Sequence, residues 1–178
     1  MCGKMDAPSY KGVFGSKSRA SHTLKYQAMK KSIITLLTIT VAAWFSLSAK
    51  EEQTDVTISI NGTDTMMYDK TAFEVKAGQK VKLVFKNIGK LPKAAMGHNV
   101  CILKHGVDVA GFCTESIKFA AKDYFPESKK DDVIAHTKLL GPDETDTVIF
   151  TAPAAGVYDY VCTFPGHFAL MKGKMTVK

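Results

Sequence analysis

Residues 50–178 contain no arginine and no tryptophan. The missing arginine argues against specific phosphate or base recognition, where the planar guanidinium fork is the favoured tool. The formal charge of +7 does not restore that reading, because seven basic side chains and one acidic one lie in residues 1–49, against 17 lysines and 16 carboxylates in the rest. Close-spaced pairs of cysteine or histidine, the usual mark of structural zinc, are also missing. No apolar run reaches the ~20 residues that a spanning helix needs. Internal repeats and low-complexity tracts are absent after residue 50.

The stretch Met29–Ala49 reads as a secretory signal: Lys30 and Lys31 begin it, Ile33–Phe45 form a short apolar run with three threonines, and Ser46-Leu47-Ser48-Ala49 supply small residues for cleavage. Residues 1–28 lie upstream of that start and are expected to come from a mis-assigned initiation codon. The exported domain then spans residues 50–178, about 130 residues, a size that folds as one unit. Cys101, Cys113 and Cys162 leave an odd thiol in it, which marks a ligand, a reactive group or an intermolecular bridge. If Cys162 binds metal, Cys101 and Cys113 are either a disulfide or two buried free thiols.

The domain is written in short alternating segments. Asp55–Ile60, Ala72–Val75, Val81–Phe85, Asp146–Thr151, Gly156–Cys162 and Gly173–Lys178 alternate as half-buried strands do, and His98–Leu103 is apolar at most positions. Asn61-Gly62 and Lys76–Gln79 read as turns. Ile117, Ala120 and Ala121 recur at helical spacing, with Thr114 as a candidate cap and Pro126 beyond the end. The expectation is an all-β sandwich or barrel with one short helix in an insertion.

The chemistry concentrates in Cys162-Thr-Phe-Pro-Gly-His167-Phe-Ala-Leu-Met171, which places a thiol, an imidazole and a thioether within ten residues. Those are the soft and borderline donors that copper selects. A turn at Pro165-Gly166 brings His167 back towards the end of the strand that delivers Cys162. His98, in Met96-Gly97-His98-Asn99, is the candidate second imidazole for a trigonal site with a weak axial methionine. Neither an open coordination position nor a substrate-facing acid–base group is evident, so an enzyme is not expected. A copper-storage or chaperone protein is the alternative, though it would more typically show clustered methionines or paired cysteines.

Leu91-Pro92-Lys93, Met96-Gly97-His98-Asn99, Ile134-Ala135-His136-Thr137-Lys138, Cys162-Thr-Phe-Pro-Gly-His167 and Ala169-Leu-Met-Lys-Gly173 resemble the azurin family of blue-copper cupredoxins. The resemblance implies an eight-stranded Greek-key sandwich with a helical flap, and copper bound by His98, Cys162 and His167. It also implies a long contact from Met171, a weak one from the carbonyl of Gly97, a bracing role for Asn99, and backbone donation to the Cys162 sulfur near Phe164. The function implied is single-electron transport in the periplasm as a monomer. His167 is the expected exit route for the electron. Met66, Met96, Phe164, Pro165, Phe168 and Ala169 form the expected apolar patch for brief docking to c-type cytochromes or reductases. Three departures stand out: the disulfide between the first and third strands is missing, Asn87 takes the place of a redox-linked histidine, and Val100 that of a buried tryptophan.

Overall fold

Alternation in the sequence becomes two facing sheets in the computed structural model, which describes residues 52–178 and the isolated Gly12. The expected signal at 29–49 and the segment before it lie outside the described residues, Gly12 excepted. Nine strands occur among those described: β1 Val56–Thr63, β2 Met67–Tyr68, β3 Ala72–Val75, β4 Lys80–Asn87, β5 Cys101–Leu103, β6 Val133–His136, β7 Thr145–Thr151, β8 Gly156–Val161 and β9 Lys172–Val177. The two-residue β2 accounts for the excess over the expected eight.

One sheet runs β2-β1-β4-β7 and the other β3-β9-β8-β5-β6. β1 lies parallel to β4, from Val56 opposite Val81 to Gly62 opposite Asn87. β4 pairs antiparallel with β7. In the second sheet β3 is parallel to β9, and β8 pairs antiparallel with β9 and β5. The period of two sends Ile58, Ile60, Val81, Leu83, Phe85 and Phe150 inward from one sheet. Phe73, Val75, Ile102, Tyr158, Tyr160, Met175 and Val177 meet them from the other, and together they form the main core. Each such side chain contributes about 1.5–3 kcal/mol on burial, which is the main force holding the sheets together. The Tyr68 ring stands edge-on to Phe85 at 5.9 Å between centroids. Val100 fills its buried position at 1% exposure, so the missing tryptophan leaves an aliphatic core there.

Local readings needed correction in three places. Asn61-Gly62 is not the turn: β1 continues through it to Thr63, and the chain reverses at Thr63–Met66, where the Met66 N–H donates to the Thr63 carbonyl (3.1 Å) and Met66 has φ 57°. Asn61 is held in the strand end because its carboxamide donates to Asp69 (2.6 Å). The His98–Leu103 strand shortens to Cys101–Leu103, with His98 forming a lone bridge to Leu140. The helix starts earlier than Thr114. α1 is a single turn, Lys93–Met96, and the insertion helix α2 is Val109–Ser116, capped by the Asp108 carboxylate accepting from the Ala110 N–H (3.1 Å).

The buried face of α2 is Phe112, Cys113 and Ser116; Ile117, Ala120 and Ala121 face solvent in a 3₁₀ turn, Ile117–Lys122, beyond it. A second 3₁₀ turn, Glu127–Asp132, leads into β6. Phe112 and Cys113 pack with Cys101, Leu103 and Val161 in a second small core. The thiols of Cys101 and Cys113 are free and buried. Burial pushes both upward, Cys113 to about 12, so they behave as small hydrophobes rather than as nucleophiles.

Candidate metal centre

Three separated stretches meet at one end of the sandwich. The first is the loop after β8. Cys162 follows the last residue of that strand, and its N–H donates to the Met171 carbonyl (3.0 Å), closing the loop at its base. Within it Gly166 takes φ 80°, a left-handed conformation that glycine adopts without strain. The His167 N–H then donates back to the Phe164 carbonyl (3.1 Å), and a 3₁₀ turn at His167–Ala169 returns the chain to Met171, whose N–H donates to the His167 carbonyl (2.8 Å).

The second stretch is Gly97-His98-Asn99. Gly97 is buried, and a Cβ on it would lie 2.7 Å from the Lys93 carbonyl, so only glycine lets α1 run so closely into His98. The His98 backbone is clamped in both directions against Leu140: its N–H donates to the Leu140 carbonyl (3.1 Å) and its carbonyl accepts from the Leu140 N–H (2.7 Å). The Leu140 carbonyl also accepts from the carboxamide of buried Asn87 (3.1 Å). Where the azurin resemblance placed a titrating histidine, this chain therefore has a brace without a proton to exchange. Asn99 joins the first two stretches: its carboxamide donates to Thr163 Oγ1 (2.7 Å) and accepts from the Thr163 N–H (2.8 Å). Its carbonyl accepts from the Tyr68 hydroxyl (2.5 Å). The third stretch is the end of β1, which backs onto His98 and Met171.

His98 Nδ1 and His167 Nδ1 face each other at 3.2 Å, and Cys162 Sγ lies 3.7 Å from His167 Nδ1. These three donor atoms lie within 4.8 Å of one another, and all three residues are buried. Met171 is fully buried. Burial lowers the proton affinity of both histidines. His167 falls to about 4, first through desolvation and then through His98. His98 is lowered by desolvation, partly opposed by the nearby Thr63 carbonyl. Its Nε2 makes no hydrogen bond, although it is buried. Desolvation pushes the Cys162 thiol to about 12, and hydrogen bonds from the backbone of Asn99 and Phe164 pull it back. Two neutral imidazoles with converging nitrogens beside a thiol form a poor hydrogen-bond cluster and a good soft-metal donor set. The residues present fit one copper ion.

Each donor expected from the sequence is thus brought to this end of the fold. The expected patch is more mixed. Met66, Met96 and Pro165 are half-buried, Phe164 is nearly covered, and Ala169 is exposed. Phe168 packs partly against the second core. Leu91 at 45% and Leu170 at 61% exposure are further exposed apolar side chains, next in sequence to the Pro92–Gly97 and His167–Ala169 segments. Both lie in loops, where no periodicity marks an apolar side chain as surface or core. Leu140, Thr163 and Gly62 were missed as supports because their roles depend on tertiary contacts.

A β-sandwich that buries a thiol, two imidazoles and a thioether at one end has the make-up of a blue-copper electron-transfer protein. The family of copper-binding proteins grouped as plastocyanin/azurin matches residues 54–178. Azurin-1 of Alcaligenes xylosoxydans xylosoxydans is 42% identical over 125 residues, covering 67% of this chain and 95% of its own. Auracyanin-A of Chloroflexus aurantiacus is 40% identical over 125 residues, covering 68% and 74%. A dithionite-reduced auracyanin from the photosynthetic bacterium Roseiflexus castenholzii superposes with a TM-score of 0.63 at 40% identity, covering 71% of this chain and 99% of that one. The chain belongs to the plastocyanin/azurin family of copper-binding proteins, and copper is its cofactor.

Proposed function

We propose that the protein is an exported, monomeric carrier of single electrons between redox proteins such as c-type cytochromes and reductases, with no substrate turnover. In this reading His98, Cys162 and His167 would hold the copper strongly, and the Met171 thioether and the Gly97 carbonyl would add weaker contacts. When bound, copper supplies the Cu(I)/Cu(II) couple. The observation that carries the reading is the convergence of three donors, with a thioether nearby, in a buried, braced site. The Asn99–Thr163 and His98–Leu140 bonds oppose rearrangement between oxidation states.

His167 lies on the surface loop at 3% exposure, between the Phe164 ring and the His98 ring, and is the proposed exit for the electron. Met66, Met96, Pro165, Phe168 and Ala169 form the proposed docking patch. In this reading residues 29–49 act as the export signal and residues 50–178 as the periplasmic domain.

The test is stopped-flow mixing of the copper-loaded domain with reduced c-type cytochromes from the same host. Rapid, reversible exchange that depends weakly on salt is expected, because the patch is apolar. Release of copper on reduction, with no exchange, would instead establish the storage or chaperone alternative.

A further inference from the structure

Glycine inside a strand weakens it, and its presence there often marks a close approach by another group. Gly62 is such a residue. It sits buried in β1, opposite Asn87 of β4 on one side and Tyr68 of β2 on the other. No positive φ requires glycine at this position. What requires it is space: a Cβ would lie 2.9 Å from Met171 Cε, 3.0 Å from Phe85 Cζ and 3.3 Å from His98 Cδ2.

We propose that Gly62 is a positioning residue for the metal centre, leaving the gap into which the Met171 thioether seats against the His98 ring. This rests on the reading of Met171 as the axial group. The backbone at Gly62 cannot retreat from an added methyl, because its pairing to both neighbours and the Ile88 N–H bond to its carbonyl (2.9 Å) fix it. Phe85 cannot yield easily either; it is fully buried and packed edge-on against Tyr68. His98 is clamped through its backbone to Leu140. The terminal methyl of Met171 is the softest of the three neighbours, since methionine turns about three side-chain bonds. A methyl at position 62 therefore moves the thioether first.

The test compares wild type, Gly62→Ala, Met171→Ala and the double variant. In the apoprotein, Gly62→Ala is expected to shift the Met171 ε-methyl NMR signal and weaken its NOE to His98, with the fold kept. In the copper-loaded protein it should move the reduction potential and the EPR spectrum in the direction that Met171→Ala moves them, and have little effect once Met171 is already alanine. If Gly62→Ala alone fails to fold, shortening Met171 in the double variant should restore folding. Equal shifts of potential on both backgrounds, or a double variant that stays unfolded, would overturn the proposal by placing the conflict at Phe85 or His98. An unchanged potential in Gly62→Ala, with Met171→Ala shifted, would overturn it too. If Met171→Ala itself changes neither potential nor spectrum, the axial reading fails, and the proposal with it.

Discussion

Replacing Cys162 by serine is expected to abolish the intense visible absorption of the copper-loaded protein. That absorption comes from charge transfer out of a thiolate, and a serine hydroxyl, a harder donor that stays protonated, offers no equivalent. The position is fully buried at the base of the loop, so the substitution leaves two imidazoles and a thioether without the thiolate. The loss of copper affinity should exceed the ~10–100-fold that loss of an outer supporting group costs. Serine is nearly isosteric with cysteine, and the Cys162 N–H bond to Met171 does not involve the side chain. The apoprotein should therefore keep its fold. Titration with Cu(II), followed by visible absorption and EPR, is the check; a retained blue band would remove Cys162 from the site.

Acid should weaken the apoprotein and copper binding by separate routes. His167 in the folded state binds a proton only at about pH 4, far below the ordinary value of 6.5. Between those two values the unfolded chain binds more protons than the folded one, so stability falls as pH falls through that window. His98 is lowered in the same direction, so both imidazoles contribute to the loss. Apoprotein denaturation at pH 7 and pH 4.5 measures this.

Copper binding has its own dependence. The Cys162 thiol holds its proton up to about pH 12 in the apoprotein, so the metal must displace it. Affinity should fall about tenfold for each unit of acidification between pH 7 and pH 5, one proton being released per ion bound. Affinity independent of pH would mean that the thiol is already ionised. The protein lacks the disulfide typical of azurins, a bridge whose removal commonly costs about 2–5 kcal/mol in small secreted domains. Copper binding to the folded state alone should offset part of that deficit, more at neutral pH than in acid.

The metal donors were legible in the sequence because three of them fall within ten residues, on a loop whose Pro165-Gly166 pair announces a reversal. The strands were legible because one face of each is buried, so alternation survives in Val81–Phe85 and Gly156–Val161. The supports of the site were not. Leu140 acts through its backbone, which leaves no trace in residue type. Gly62 has the composition of a turn, Asn-Gly, yet it is a strand residue with side chains pressed against it. The helix start was misplaced because Ile117, Ala120 and Ala121 mimic an apolar face, while the buried face combines Phe112 with the small residues Cys113 and Ser116. The family was readable from its loop motifs.

X-ray absorption at the copper edge of the loaded domain tests the central claim most directly. One short sulfur and two nitrogen scatterers are expected, with the sulfur lost in Cys162→Ser. A first shell of nitrogen and oxygen alone in the unaltered protein would contradict a copper site built on Cys162, His98 and His167.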